Sequence, residues 1–173
     1  MDSTSLPIDS NSCIVSVDVG SSSVRALLFD AQARQIAGYG AQLAHDVETT
    51  PDGGAEVNPD TLADLTISCL DQLHQQVYSA GLRIAAVGGS AFWHSFLGVD
   101  ASGRPVIPIM HLLDTRADEE ARLLADSHAR TGCVPHSSYW PAKLLWLEKH
   151  RPAEFAATRR WLSFPEYLFQ KLF

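Results

Sequence analysis

The segment Asp18-Val19-Gly20-Ser21-Ser22-Ser23-Val24-Arg25 gathers residue types that can hold a phosphate. A carboxylate ends an alternating apolar run, a glycine lets the backbone approach a ligand, and three hydroxyls follow. Backbone N–H groups and hydroxyls in a tight turn bind phosphate oxygens. Asp18 suits Mg2+, directly or through water, because that ion prefers carboxylate, water and phosphate ligands. Arg25 adds charge neutralisation. Glycine and serine are also ordinary turn residues, so the same stretch reads as a plain hairpin too.

Three other segments carry candidate chemistry. Gly88 to Phe96 follows a short apolar strand, where α/β folds place ligand sites. Within it Trp93 offers a flat apolar face with a polar N–H, and His94 offers a donor or acceptor to a substrate hydroxyl. A packed tryptophan and a satisfied core histidine are the commoner explanation of such a pair. A hydrolase elbow, G-x-S-x-G, is excluded because Phe92 stands where its second glycine belongs. In Leu112 to Ala117, Asp114 can accept from sugar hydroxyls and Arg116 can grip an anionic or polyhydroxyl ligand. Aspartate is equally a favoured helix N-cap. His136 to Leu144 is a polar, aromatic loop leading into a helix, and its Lys143 is expected to be merely solvated. His111 with Asp114 is too small a set for a metal site. The chain has neither G-x-x-x-x-G-K-[ST] nor G-x-G-x-x-G, so a P-loop, a dinucleotide fingerprint and a protein-kinase glycine loop are all excluded. An ATP site here needs another architecture.

The elements that position these residues follow from periodicity. Residues 1–12 read as a disordered tail. Ile14 to Gly20 and Val24 to Asp30 alternate as strands joined by a short Gly/Ser link, and Gln35 to Ala44 makes a third strand weakened by Gly38 and Gly40. Together they predict an antiparallel meander. Asn58-Pro59-Asp60 opens a helix as cap, first residue and dipole partner, and Gly81 closes it. Leu62, Leu65, Cys69, Leu73 and Val77 give that helix one apolar face. Ile84 to Gly88 and Phe96 to Asp100 read as strands, the second followed by a turn at Ala101-Ser102-Gly103. Thr115 to Thr131, Ala142 to His150 and Pro165 to Phe173 read as helices. Strands first, then strands alternating with helices, point to the α/β class. The last helical pattern reaches Phe173 without a capping signal, so the natural polypeptide is expected to continue.

Composition narrows the function. The chain has 173 residues, 46% of them hydrophobic and 19% charged, with 13 Lys and Arg against 20 Asp and Glu, a net charge of −7. That is globular composition, and at this length about two thirds of the unfolded surface can be buried without a disulfide or metal staple. The acidic balance argues against nucleic acid. Cys13, Cys69 and Cys133 are odd in number, widely spaced and without a CxxC pair, which fits reduced thiols in the cytoplasm. Neither a signal peptide nor a membrane span is indicated, so no membrane partner is expected.

The order and spacing of these segments resemble the FGGY family of carbohydrate kinases, in the superfamily that includes actin and hexokinase. The resemblance covers Ile14 to Phe173, the first part of the family's N-terminal domain. Asp18 to Arg25 resembles the family's first phosphate hairpin, D-x-G-[TS]-[TS]-S-x-[KR]. Ala55-Glu56-Val57-Asn58-Pro59 is similar to its A-E-x-[DN]-P segment, and Trp93-His94 falls where many members have Met-His. Asp100 to Pro105 resembles D-x-x-G-x-P. Leu112 to Arg116 resembles W-x-D-x-R, with Leu112 in place of Trp, and Ala142 to Trp146 resembles P-K-L-x-W. His94-Ser95 and Ser137 to Leu144 are most similar to gluconate-kinase-like members.

The resemblance implies a truncated ribonuclease-H-like half-domain over 13–173, with a mixed sheet and flanking helices. It implies transfer of the γ-phosphoryl group of ATP to a hydroxyl of a sugar or sugar acid such as gluconate. Asp18 would be the catalytic organiser of Mg2+ and phosphate, and Gly20, Ser21, Ser22, Ser23 and Arg25 would face the nucleotide phosphates. Trp93, His94, Asp114 and Arg116 would line the sugar pocket, Arg116 being the candidate for a sugar-acid carboxylate. The family's catalytic base, an Asp, comes later than Phe173, so this stretch alone is expected to be inactive. The full-length protein is compatible with a homodimer. Two other classes remain open: a non-catalytic nucleotide- or sugar-binding relic of the fold, and an actin-like ATPase, which would need no polyol site.

Overall fold

The alternation of the first strand is visible in its burial. Val15, Val17 and Val19 are buried while Ser16 and Asp18 face solvent, as a pleat requires. The structure, a computed structural model, describes residues 11–173, so the expected tail lies outside the described residues except for Asn11 and Ser12. In chain order the strands and helices are β1 (Ser12–Val19), β2 (Ser23–Phe29), β3 (Gln35–Ala44), β4 (Glu48–Thr49), β5 (Ala55–Val57), α1 (Pro59–Ser79) and β6 (Arg83–Ala91). There follow β7 (Leu97–Val99), β8 (Ile109–Met110), α2 (Asp118–Leu123), α3 (His128–Thr131), α4 (Trp140–His150), α5 (Pro152–Ala157), β9 (Arg160–Leu162) and α6 (Phe164–Leu172). The chain divides into two units: the described residues through His45 with Asp64–Ala91, and Asp46–Ala63 with Phe92–Phe173.

The first unit is a mixed sheet in the order β3-β2-β1-β6. The expected meander is present, with β1, β2 and β3 antiparallel in turn, and β6 runs parallel to β1. A parallel return needs a crossover, and α1 supplies it. Asn58 caps that helix, its side-chain oxygen accepting from the Thr61 N–H at 3.0 Å. Gly81 ends it in the left-handed conformation, φ 69°. Cys69, Leu73 and Val77 form its buried stripe. The Gln76 side chain closes a pair of hydrogen bonds with the N–H and C=O of Gly40, at 3.0 and 2.9 Å, which ties the weak β3 to the helix. The strand expected to be buried at Ile84 to Gly88 is longer and far more open. Within the described residues β6 pairs with β1 alone, Val87 is 59% exposed, and Gly88 to Ser90 are exposed.

The second unit holds a small sheet, β4-β5-β8, and the antiparallel pair β7-β9. Its core joins Phe96, Ile107, Met110, Ala117, Ala121, Ala142, Trp146 and Leu147. The expected single helix over Thr115 to Thr131 is broken: α2 ends at Leu123, a 3-10 turn occupies Ala125–Ser127, and α3 is one turn long. Of Thr115 to Thr131 only Ala117, Glu120 and Ala121 are buried, so no continuous apolar stripe holds one helix together. Helix α6 opens with a capping box between Ser163 and Glu166. Among the described residues no helix is long and apolar enough to cross a membrane.

Candidate functional site

In the first unit the end of β1 and the β1–β2 turn gather polar groups at one place. Asp18 is the last exposed residue before the turn and lies opposite Arg25 across the β1–β2 ladder, both exposed. Its Oδ1 accepts from the Ser90 hydroxyl at 2.6 Å, which orients the carboxylate from the neighbouring strand. The turn is closed by the Gly20 N–H donating to the Ser23 carbonyl at 2.9 Å. His45 braces it from outside: its backbone N–H donates to the Ser22 carbonyl at 3.0 Å, and its Nε2 lies 2.9 Å from the Gly20 carbonyl. The N–H groups of Ser21 and Ser22 donate to no acceptor among the described residues. The turn therefore keeps two backbone donors and two exposed hydroxyls beside a carboxylate and a guanidinium.

That donor set suits phosphate, and it suits Mg2+ in one particular way. Among the described residues no group of three or more His, Cys, Asp or Glu side chains converges. An ion here would take one carboxylate, Asp18, and complete its shell with water and phosphate oxygens, the pattern that Mg2+ favours.

In the second unit the structure unites three of the segments named from sequence. Lys143 is fully buried, and its ammonium donates to the carbonyls of His94, Met110 and His111 at 3.2, 3.3 and 2.7 Å. The expectation of a solvated lysine is thus corrected. A lysine in the first turn of α4 points inward here because three backbone carbonyls converge on its tip. Burial, the largest influence, lowers its pKa to about 8; Asp114 raises it and Arg116 lowers it further.

Asp114 and Arg116 are also placed differently from expectation. Asp114 is fully buried and caps no helix, because α2 begins four residues later. Its carboxylate accepts from the backbone N–H groups of Ala55 and Arg116, both at 3.1 Å, and from the Arg116 guanidinium, Nη2 at 2.5 Å. The same Nη2 donates to Glu56 at 2.6 Å, and Arg151 reaches Glu56 at 3.1 Å. Arg116 lies over the Trp146 ring at 4.6 Å. Burial disfavours its charge, but the hydrogen bonds it donates to Asp114 and Glu56 outweigh that and hold its pKa above the ordinary value. The pair expected to face a sugar is therefore mutually saturated and serves as a scaffold.

Trp93 and His94 are the accessible members. Trp93 is 79% exposed, so it is not a packed core residue. His94 has the left-handed φ of 55°, and its ring rests against Tyr139 at 4.3 Å and Trp93 at 5.3 Å between centroids. Sequence reasoning missed His45 and Arg151, while Ser90 and Tyr139 lay inside the named segments Gly88 to Phe96 and His136 to Leu144 without a role of their own. Glu56 lay inside a quoted segment, but nothing in its neighbours announced its role as a bridge.

Comparison with known proteins shows the family to which the chain belongs. The profile described as the FGGY family of carbohydrate kinases, N-terminal domain, matches residues 13–173. A xylulose kinase of Streptomyces rubiginosus is 28% identical over 166 residues, covering 92% of this chain and 33% of that protein. A gluconokinase of Bacillus subtilis is 24% identical over 172 residues, covering 94% of this chain and 32% of that protein. The crystal structure of a xyloylose kinase from Brucella ovis superposes with a TM-score of 0.81 at 27% identity, covering 91% of this chain and 33% of that one. The chain thus spans about a third of the length of the relatives it matches.

Proposed function

Because the chain belongs to the FGGY family of carbohydrate kinases, we propose that it supplies the first phosphate-binding turn and part of the sugar site of an ATP-dependent kinase for a sugar or sugar acid. The observation that carries this reading is the β1–β2 turn: two uncommitted backbone N–H groups at Ser21 and Ser22, with Asp18 and Arg25 facing each other at its base. In such a reaction a sugar hydroxyl oxygen bonds to the γ-phosphorus as the bond to the β,γ-bridging oxygen breaks, and the hydroxyl proton passes to a base. Catalysis is mainly positioning and charge stabilisation. Gly20 lets the turn approach the phosphates, and the Ser21 and Ser22 amides with the hydroxyls of Ser21, Ser22 and Ser23 hold their oxygens. Arg25 neutralises charge. Asp18 holds Mg2+, which when bound would screen the phosphate charge.

On the sugar side Trp93 offers a stacking face and His94 a hydrogen-bonding ring, while Asp114 and Arg116 hold the Ala55-Glu56 segment. No base is assigned within these residues, and the segment alone does not turn over. Purified 173-residue protein that phosphorylates gluconate at ordinary kinase rates would refute that statement. Cytoplasmic placement follows from this reading, as does a small-molecule partner.

Gluconate is the preferred acceptor, on the resemblance of His94-Ser95 and Ser137 to Leu144 to gluconate-kinase-like members. The test is a panel of gluconate, xylulose, glycerol and fuculose with Mg-ATP and the complete polypeptide. Gluconate is expected to give the highest kcat/KM. A higher value for any other member removes the gluconate assignment and leaves the kinase reading in place.

A further inference from the structure

An ammonium inside a protein is expensive, and Lys143 is placed where it costs most. It is fully buried, it lies in the first turn of an eleven-residue helix, α4, where the positive end of the dipole opposes a cation, and no carboxylate among the described residues hydrogen-bonds it. A methionine would fill the same channel without that cost. What a methionine lacks is three N–H donors, and here each finds a carbonyl. Those carbonyls belong to two chain segments: His94 in the turn before β7, and Met110 and His111 at the end of β8. His94 is one of two non-glycine residues with positive φ among the described residues, a conformation that needs outside support. Its carbonyl is held by Lys143 and its ring by Tyr139, the residue just before α4. Ser138 adds a third tie, its hydroxyl donating to the Leu112 carbonyl at 2.6 Å.

We propose that Lys143 is a positioning residue for the sugar site, whose shared ammonium fixes the Trp93-His94 turn against the Met110–Asp114 segment. The inference rests on the reading of Trp93 and His94 as sugar-facing. Lys143 touches no reacting atom; it acts by holding His94 in the left-handed conformation that sets the direction of both rings.

Two readouts test it. In the 173-residue chain with 15N-labelled lysine, the Lys143 ammonium is expected to exchange slowly with water near pH 6 and to show through-space contacts to residues 94 and 111. An ammonium in free exchange without those contacts overturns the proposal. This needs no variant, so it stands even where Lys143→Met fails to fold. In the active polypeptide, Lys143→Met is expected to raise the sugar KM about tenfold, the equivalent of one charge-assisted hydrogen bond, with the ATP KM within about twofold. His94 chemical shifts should move to a negative-φ signature in the same variant. An unchanged sugar KM with unchanged His94 shifts overturns the proposal, as does an equal rise in both KM values. A wild-type polypeptide that phosphorylates no sugar defeats the kinase reading instead, while the ammonium and His94 signals still decide what Lys143 holds.

Discussion

Replacing Arg116 with methionine keeps an apolar stem but removes the guanidinium, the part that lies over Trp146. The side chain is 4% exposed and Asp114 is 0% exposed, so solvent does little to screen their contact. Breaking a buried ion pair by deleting one partner costs about 3–5 kcal/mol, because the other charge is left uncompensated. Two features place Arg116→Met at the lower end. Asp114 keeps two backbone N–H donors, from Ala55 and residue 116, and Glu56 keeps Arg151 at 3.1 Å. The expected loss is therefore about 3 kcal/mol, or a fall in Tm of about 6–12 °C for a chain of this size. Urea denaturation followed by tryptophan fluorescence measures it, with Trp146 reporting directly because the guanidinium lies 4.6 Å from its ring centre. Adding Asp114→Asn should recover part of the loss, with a coupling energy of about 1–3 kcal/mol in the double-mutant cycle. A single-variant loss below about 1 kcal/mol, the range of exposed pairs, would refute the claim that this network is a buried scaffold.

Other outcomes follow from particular contacts. Lys143 has a folded pKa of about 8 against an ordinary 10.5, so between these values the unfolded chain binds more protons and the lysine's contribution to stability rises with pH. Below about pH 8 both states are protonated and the contribution is flat; the wild-type minus Lys143→Met stability difference, measured from pH 7 to 10.5, should follow that curve, and a falling difference would contradict it. Gly98 sits in β7 where an added Cβ would lie 2.6 Å from Thr158 Oγ1 and 2.9 Å from the Trp161 ring. Gly98→Ala should destabilise the chain by about 1–3 kcal/mol, and a neutral result in thermal melts would show that Thr158 and Trp161 move aside freely.

The meander, α1 and its cap, and the turn at Asp18 to Arg25 were legible in the sequence because their determinants are local. Alternation, Asn58-Pro59-Asp60 and Gly81 each act within a few residues. The roles of Lys143, Asp114 and Arg116 were not, because distant chain decides them. Lys143 turns inward only because the carbonyls of residues 94, 110 and 111 meet at its tip. Asp114 leaves the helix-cap role because the Ala55 N–H and the Arg116 side chain claim its oxygens. The broken helix after Thr115 shows the converse: acceptable local propensity did not suffice where little apolar surface was buried. His45, bracing the β1–β2 turn from the far end of β3, carried no local signal at all.

Asp18→Asn in the active polypeptide tests the central claim most directly. Asp18 is exposed and its neighbours are polar, so the variant should melt within about 0.5 kcal/mol of wild type. Mg-ATP-dependent phosphorylation of the preferred sugar should fall about a hundredfold or more, the scale seen when one electrostatic group is removed from a transition state. A folded Asp18→Asn protein with an undiminished rate would contradict the assignment of the β1–β2 turn as the place where nucleotide phosphate and Mg2+ are held.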